Sequence, residues 1–336
     1  MKKRILALSI LSVSTLLFGC KSNQQGGEKI EPQPEPQEDN TVSVFILAGQ
    51  SNMEGNTNTG PLINFCADAG KNYANYTKGY DSVQISFYNK YSNATCNYSN
   101  RTNPMSGRFV PTMAGQGVRT SAFGPELGIA EVLSAQEKIT EDKPVFLIKY
   151  TSGGTGFGDQ SRDGQNYCWR SPSSGKTGML YDGLLEYTNN CLELIEAMDF
   201  TPVIKGFLWM QGESDSGSQT LADGYEKSLG NLISDFRQEY SSYALNQDGE
   251  EINFIDAMIQ EDNVWRFYSK INAAKLNLSE KSEHNYLINT SSRSGGLDLK
   301  LNNNEHGGGD IYHYTVDSMI RLGNAFGQVI VDNNML

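Results

Sequence analysis

The residues whose types and spacing could do nucleophilic chemistry lie at opposite ends of the chain. Near the start, Gly49-Gln50-Ser51-Asn52-Met53 places a serine directly after an apolar run. Near the end, Asp310-Ile311-Tyr312-His313 places an imidazole three residues after a carboxylate. A neutral serine hydroxyl is a weak nucleophile. It needs a base within hydrogen-bond reach and a third group to orient that base. The chain has three histidines, His284, His306 and His313, and His313 alone follows an Asp at this spacing. A D-x-x-H turn can set the carboxylate against Nδ1 and leave Nε2 to take the Ser51 proton. Each half also has a plainer reading: a strand ending in a polar turn, and an Asp capping a helix beside a surface His.

Other chemistries fit less well. His306-Gly307-Gly308-Gly309 has the look of a lipase oxyanion loop, but that loop precedes its nucleophile and this one follows Ser51 by most of the chain. There is no G-x-S-x-G, since Met53 stands where the last Gly belongs. Glu213 and Asp215 sit two apart in one loop, too close in sequence to flank a glycosidic bond. No Cys-His cluster has zinc spacing, and acyl transfer by a serine and a histidine implies no metal or organic cofactor.

The elements that must position these groups are legible as apolar runs. Val42 to Ala48 suits a strand covered on both faces. Pro144 to Tyr150 and Pro202 to Met210 read likewise, with shorter strands at Ile252 to Ile259 and Tyr286 to Asn289. Helical spacing covers Leu180 to Met198, Leu221 to Tyr243 and Val264 to Leu278. Pro125 opens a helix running to about Lys138. A last helix follows His313, with Val316, Met319, Ile320, Gly323, Phe326 and Ile330 on one face. Strands alternating with helices predict one α/β domain with a doubly wound, mostly parallel sheet. Three polar clusters then fall at the C-terminal ends of strands, where open sheets place their ligands. These are Ser51, the Thr151-Ser152-Gly153-Gly154-Thr155-Gly156 turn, and Gln211-Gly212-Glu213-Ser214-Asp215. The polar stretch from Glu54 to Ser121 carries Tyr73, Tyr76, Tyr80, Tyr88, Tyr91 and Tyr98, suited to stacking on sugars or to an amphipathic cover, and a candidate strand at Val83 to Tyr88.

The chain has 336 residues and a formal charge of −12, which disfavours nucleic acid and anionic membrane surfaces as partners. Lys2-Lys3-Arg4, the apolar run Ile5 to Phe18, and Gly19-Cys20 resemble a bacterial lipoprotein signal over residues 1–20, with Cys20 lipidated. Residues 21–40, rich in Pro, Glu and Gln, read as a disordered tether, and residues 41–336 as the folded domain. A lipid-anchored protein of the bacterial cell envelope, at the outer membrane or cell surface, is therefore expected. Export leaves Cys66, Cys96, Cys168 and Cys191 in an oxidising compartment, and local loop closure favours Cys66–Cys96 and Cys168–Cys191 pairs.

Gly49-Gln50-Ser51-Asn52-Met53 after the first strand resembles the first block of the SGNH (GDSL-like) hydrolases. More narrowly it is similar to the sialate O-acetylesterase and acetylxylan esterase group, carbohydrate esterase family six. Four further blocks follow in order: Gly124-Pro125-Glu126, Gly153-Gly154-Thr155, Trp209 to Asp215, and Asp310 to His313. The resemblance implies a flavodoxin-like three-layer sandwich. It implies Ser51 as nucleophile, His313 as base and Asp310 as orienter. It also implies an oxyanion hole from the Ser51 N–H, a Gly153 or Gly154 N–H, and the Gln211 side chain. Glu213 and Asp215 read as braces for that loop. The implied reaction is release of acetate from acetylated glycans, xylan-type polysaccharide or O-acetylated sialic acid. The competing expectations are a surface glycan-binding lipoprotein without turnover, and an esterase acting on lipids.

Overall fold

After Ser43 the first strand carries no polar side chain, so both of its faces must be covered. In the computed structural model it is β1 (Thr41–Gly49), the central strand of a seven-stranded sheet. The structure describes residues 40–88, 108–162, 165–244, 251–261, 264–302 and 309–336. The signal at 1–20 with Cys20, the tether up to Asp39, Tyr91, Cys96, Tyr98 and His306 lie outside the described residues.

From β1 the chain continues through α1 (Ser51–Glu54), β2 (Thr57–Asn58), α2 (Leu62–Asp68), α3 (Tyr73–Lys78), β3 (Tyr80–Tyr88), β4 (Val110–Thr112) and β5 (Ala122–Phe123). Next come α4 (Glu126–Ser134), β6 (Val145–Thr151), a small hairpin of β7 (Ser161–Arg162) and β8 (Gln165–Asn166), α5 (Met179–Glu196) and β9 (Thr201–Met210). The last elements are α6 (Gln219–Glu239), β10 (Asn253–Ala257), α7 (Tyr268–Ser279), β11 (Asn285–Ile288) and α8 (Val316–Asp332).

The sheet order is β11-β10-β9-β1-β6-β3-β4, and every neighbouring pair is parallel except β3–β4. The predicted doubly wound α/β sheet is therefore present. Strand order reverses at β1, which has β6 on one side and β9 on the other. Every residue of β6 is buried, as a strand between two helical layers requires.

The polar stretch after Met53 does more than cover the surface. It supplies β3 and β4, which extend the sheet beyond β6. Two of its described tyrosines serve packing: Tyr76 is buried, and Tyr88 stacks on Tyr150 with ring centroids 5.0 Å apart. Two helices are shorter than their patterns. The α4 helix stops at Ser134 because no packed apolar side chain follows Leu133 until Ile139. The α7 helix starts at Tyr268, because the Phe267 N–H donates to the Ser216 carbonyl at 2.9 Å and holds 264–267 as a turn.

The Cys168–Cys191 pairing does not form. Both are buried thiols. Cys168 precedes α5, and its carbonyl accepts the N–H of Leu180 in the first turn of that helix. Cys191 lies eleven residues beyond Leu180 on that helix, roughly 16 Å at about 1.5 Å per residue. A disulfide needs Cα atoms within roughly 7 Å. Cys66 is also a buried thiol, on α2.

The block Gly124-Pro125-Glu126 has a structural task. Glu126 Oε2 accepts from Lys149 Nζ of β6 at 2.8 Å, and both side chains are buried. Lys149 also donates to the carbonyls of Glu54 and Gln116, each at 3.0 Å. One buried ammonium thus ties α4 and β6 to the end of α1. Removing one partner leaves a charge buried without compensation. Lys149→Met is expected to cost about 3–5 kcal/mol in urea unfolding, and a loss below about 1 kcal/mol contradicts this account.

Candidate active site

At the end of β1 the chain must turn where there is no room for a side chain. Gly49 has φ +139, and a Cβ there would stand 2.1 Å from the Met210 carbonyl oxygen of β9. That same carbonyl accepts the Gln50 N–H at 3.0 Å, and on the other side the Ser152 N–H donates to the Gly49 carbonyl at 3.1 Å. Gly49 pairs with Thr151 of β6 and with Met210 of β9. Ser51, Gly153 and Gly212 each lie two residues beyond that shared line. A helix does begin at Ser51, so its N–H has no intrahelical acceptor. A Cβ built on Gly153 would lie 3.5 Å from Ser51 Cβ and 2.7 Å from Glu54 Oε2, so the β6 turn passes directly beside the serine and a side chain there would have to displace the Glu54 carboxylate.

The far end of the chain is pinned to the same place. His313 Nδ1 and Asp310 Oδ2 are 2.6 Å apart, and Asp310 Oδ1 accepts the Tyr312 N–H at 3.0 Å. Burial pushes the Asp310 carboxyl up, but hydrogen bonding to His313, the imidazole's charge and backbone N–H groups outweigh it and hold it below its ordinary range. The Thr57 hydroxyl donates to the Tyr314 carbonyl at 2.9 Å. Asn52 Nδ2 donates to Glu213 Oε1 at 2.8 Å and reaches the Tyr312 carbonyl at 3.4 Å.

Ser51, Gly153, Gly154 and His313 line one cavity of about 440 Å³, together with Gln50, Glu54, Asn56, Val118, Ser214, Trp265 and Tyr312. Among the described residues no hydrogen bond joins the Ser51 hydroxyl to the imidazole. Ligand-free sites commonly show such loose geometry. Larger grooves of about 810 and 570 Å³ lie elsewhere and hold none of the predicted site residues. Among the described residues no group of three or more His, Cys, Asp or Glu side chains could hold a metal ion.

Beneath the cavity lie the residues after β9. Gln211 is fully buried, and its Nε2 faces three acceptors: Asp215 Oδ2 at 2.7 Å, the Thr155 carbonyl at 3.1 Å and Gln50 Oε1 at 3.2 Å. Two hydrogens for three acceptors leave none aimed at the cavity. The structure does not bring Gln211 to the oxyanion position that the family resemblance implied for it, and Gln211 does not line the cavity. Asp215 also accepts the Phe157 N–H at 3.0 Å, which ties this loop to the turn after β6. Burial raises Asp215 to about 6 against the pull of those hydrogen bonds. Burial likewise raises Glu213, although Asn52 and the nearby Lys275 and His313 charges oppose it. Glu213 Oε2 is buried without a hydrogen-bond partner.

No sequence signal pointed to Asn56, Val118 or Trp265, which reach the cavity from three separate loops. Trp265 differs from the other two tryptophans only in being partly exposed, because Trp169 and Trp209 are fully buried.

A family model described as "Carbohydrate esterase, sialic acid-specific acetylesterase" matches residues 41–332. No curated protein matches the chain. Among solved structures, a protein of Arabidopsis thaliana superposes with a TM-score of 0.59 at 18% identity, covering 87% of this chain and 99% of that one. The crystal structure of NanS gives 0.57 at 13% identity, with 88% and 98% covered. A carbohydrate acetylesterase from Xanthomonas citri gives 0.48 at 17% identity, with 85% and 55% covered. The first two share the fold.

The raised Asp215 carboxyl makes a stability prediction. Its ordinary value is 3.8 and its folded value about 6, so the folded chain binds the extra proton between those limits. This contribution to stability is present at low pH and declines as pH rises toward about 6, by roughly 2–3 kcal/mol in all. Asp215→Asn removes the decline, so the stability gap between wild type and variant narrows from pH ~4 to ~7. A gap of constant size in urea titrations across that range contradicts the assignment.

Proposed function

This chain belongs to the carbohydrate esterase family of sialic acid-specific acetylesterases, and we propose that it removes O-acetyl groups from glycans through an acyl-enzyme on Ser51. The observation that carries the reading is the meeting of Ser51 and the Asp310-held His313, from opposite ends of the chain, in one cavity also lined by the Gly153-Gly154 turn. In this reading Ser51 Oγ attacks the ester carbonyl while His313 Nε2 takes its proton. The bond from the carbonyl carbon to the sugar oxygen breaks, and His313 returns the proton to that oxygen. Water then attacks the acetyl-Ser51 ester by the same route and leaves acetate. Asp310 holds Nδ1 and so fixes the tautomer.

The developing oxyanion falls to the Ser51 N–H and a backbone N–H of the Gly153-Gly154 turn. One such donor is typically worth about 3 kcal/mol. Gln211 is not needed at the oxyanion: its carboxamide joins the Gln50, Thr155 and Asp215 groups under the site and keeps the three strand ends in register. Xylan-type polysaccharide and O-acetylated sialic acid remain the two substrate classes this reading covers. The N-terminal signal adds a proposal of place: a lipid on Cys20 anchoring the enzyme in a bacterial envelope. Labelled palmitate incorporated by the wild type and absent from Cys20→Ala is the expected result, and equal labelling removes the anchor.

Acetate release from a panel of acetylated glycans tests the activity. Ser51→Ala and His313→Ala are each expected to lose roughly 10⁴-fold or more in kcat, with glycan binding kept. Full release by Ser51→Ala defeats the nucleophile assignment. Glycan binding by wild type with no acetate released from any member favours the binding-protein alternative.

A further inference from the structure

Resting on the acyl-transfer reading above, we propose that Trp265 and Tyr312 form an aromatic wall that takes a face of the sugar ring bearing the acetyl group. The argument starts from direction. The leaving oxygen must come within hydrogen-bond reach of His313 Nε2, because that nitrogen returns the proton to it. The sugar attached to that oxygen therefore lies on the His313 side of the cavity. The groups on that side are Tyr312, the residue before His313, and Trp265, whose rings stand 5.5 Å apart at 48°. Val118 and the Gly153-Gly154 turn line the same cavity and contribute no aromatic ring to it.

The wall is built and held. Asn52, beside the nucleophile, reaches the Tyr312 backbone carbonyl, and the Asp310 side chain accepts the Tyr312 N–H. Trp265 lies in the turn fixed by the Phe267 N–H on the Ser216 carbonyl, part of the loop that carries Glu213 and Asp215. Both aromatic residues are thus tied through backbone to the strand ends that hold the cavity. Tyr312 is nonetheless 47% exposed and its neighbour Ile311 42% exposed, a contiguous apolar rim beside a polar cavity, whereas most of the other described aromatics pack inward. A pyranose presents just such a ligand surface: C–H groups on one face for the rings, hydroxyls around the edge for water and for Asn56 and Ser214, which line the same cavity. A flexible alkyl leaving group has no such face. The tyrosines of the Glu54 to Ser121 stretch take no part, since none of those described lines the cavity.

Two measurements test the wall. The first compares kcat/KM on an O-acetylated methyl glycoside with that on ethyl acetate, whose leaving group has no ring. Trp265→Ala and Tyr312→Ala are each expected to lose at least about tenfold more on the sugar ester than on ethyl acetate, chiefly through KM. Tyr312→Phe is expected to restore most of the loss. Equal losses on both esters, or none on either, overturn the wall.

The second measurement needs no turnover. Trp169 and Trp209 are fully buried, so a sugar-induced change in tryptophan emission reports on Trp265. Titrating Ser51→Ala with the acetylated glycoside should shift the emission, and the shift should vanish in Ser51→Ala/Trp265→Phe. An unchanged emission at saturating sugar overturns the wall even where acetate release is intact. Acetate release that survives in Ser51→Ala defeats the acyl-enzyme reading instead, and the emission shift still decides the wall.

Discussion

Everything at this site depends on the absence of a side chain at Gly49. The Met210 carbonyl occupies the space that a Cβ would need, and then accepts the Gln50 N–H. Because β9 presses this close, the turn after β1 cannot drift away from the turn after β9. Because Ser152 donates back to the Gly49 carbonyl, the turn after β6 is held as well. Three strand ends become one rigid edge, and Ser51, the Gly153-Gly154 turn and the Gln211 to Asp215 loop inherit fixed relative positions. A catalytic group placed on such an edge is positioned by ladder geometry, which tolerates far less error than a free loop.

The floor beneath that edge is polar, at an energetic cost. Glu213 and Asp215 are buried and raised by desolvation, and Glu213 keeps one oxygen without a partner. Apolar residues there would fold at lower cost. What the carboxylates add is cross-linking: Asp215 binds the turn after β6 through Phe157, and Glu213 binds the nucleophile turn through Asn52. A second buried pair, Lys275 on α7 with Asp256 on β10 at 2.6 Å, places a cation near Glu213 and offsets part of its burial. Burial disfavours the charges individually, while their hydrogen bonds specify one arrangement of loops.

Much of the sheet was legible in the sequence because strands covered on both faces must be apolar, and Val42 to Ala48, Val145 to Tyr150 and Val203 to Met210 have almost no other way to fold. The Asp310–His313 contact was legible for a local reason, since three residues suffice to close it. The Gln211 assignment was not secure, because a carboxamide's partners are set by neighbours from other strands. No spacing rule says that Thr155, Gln50 and Asp215 will converge on it. Trp265 was hidden for a similar cause: an aromatic residue in a helical pattern reads as core, and only the Ser216 carbonyl, distant in sequence, turns it toward the cavity. The Cys168–Cys191 pair failed because chain separation is not spatial separation; a helix carried Cys191 away from Cys168.

The meeting of the two chain ends needs its own physical cause. Two side chains supply it. Thr57 and Asn52, both just after β1, donate to the carbonyls of Tyr314 and Tyr312, on either side of His313. The α8 helix behind them is anchored by a buried face of Met319, Ile320, Leu322, Phe326 and Ile330, and its Thr315 cap accepts the Ser318 N–H. Helix burial therefore fixes where the last segment stops, and two hydrogen bonds fix which way it faces. The division of labour also explains why Asn52 directly follows the serine. A contact made by the serine's own neighbour thus reaches the backbone of the residue before the imidazole.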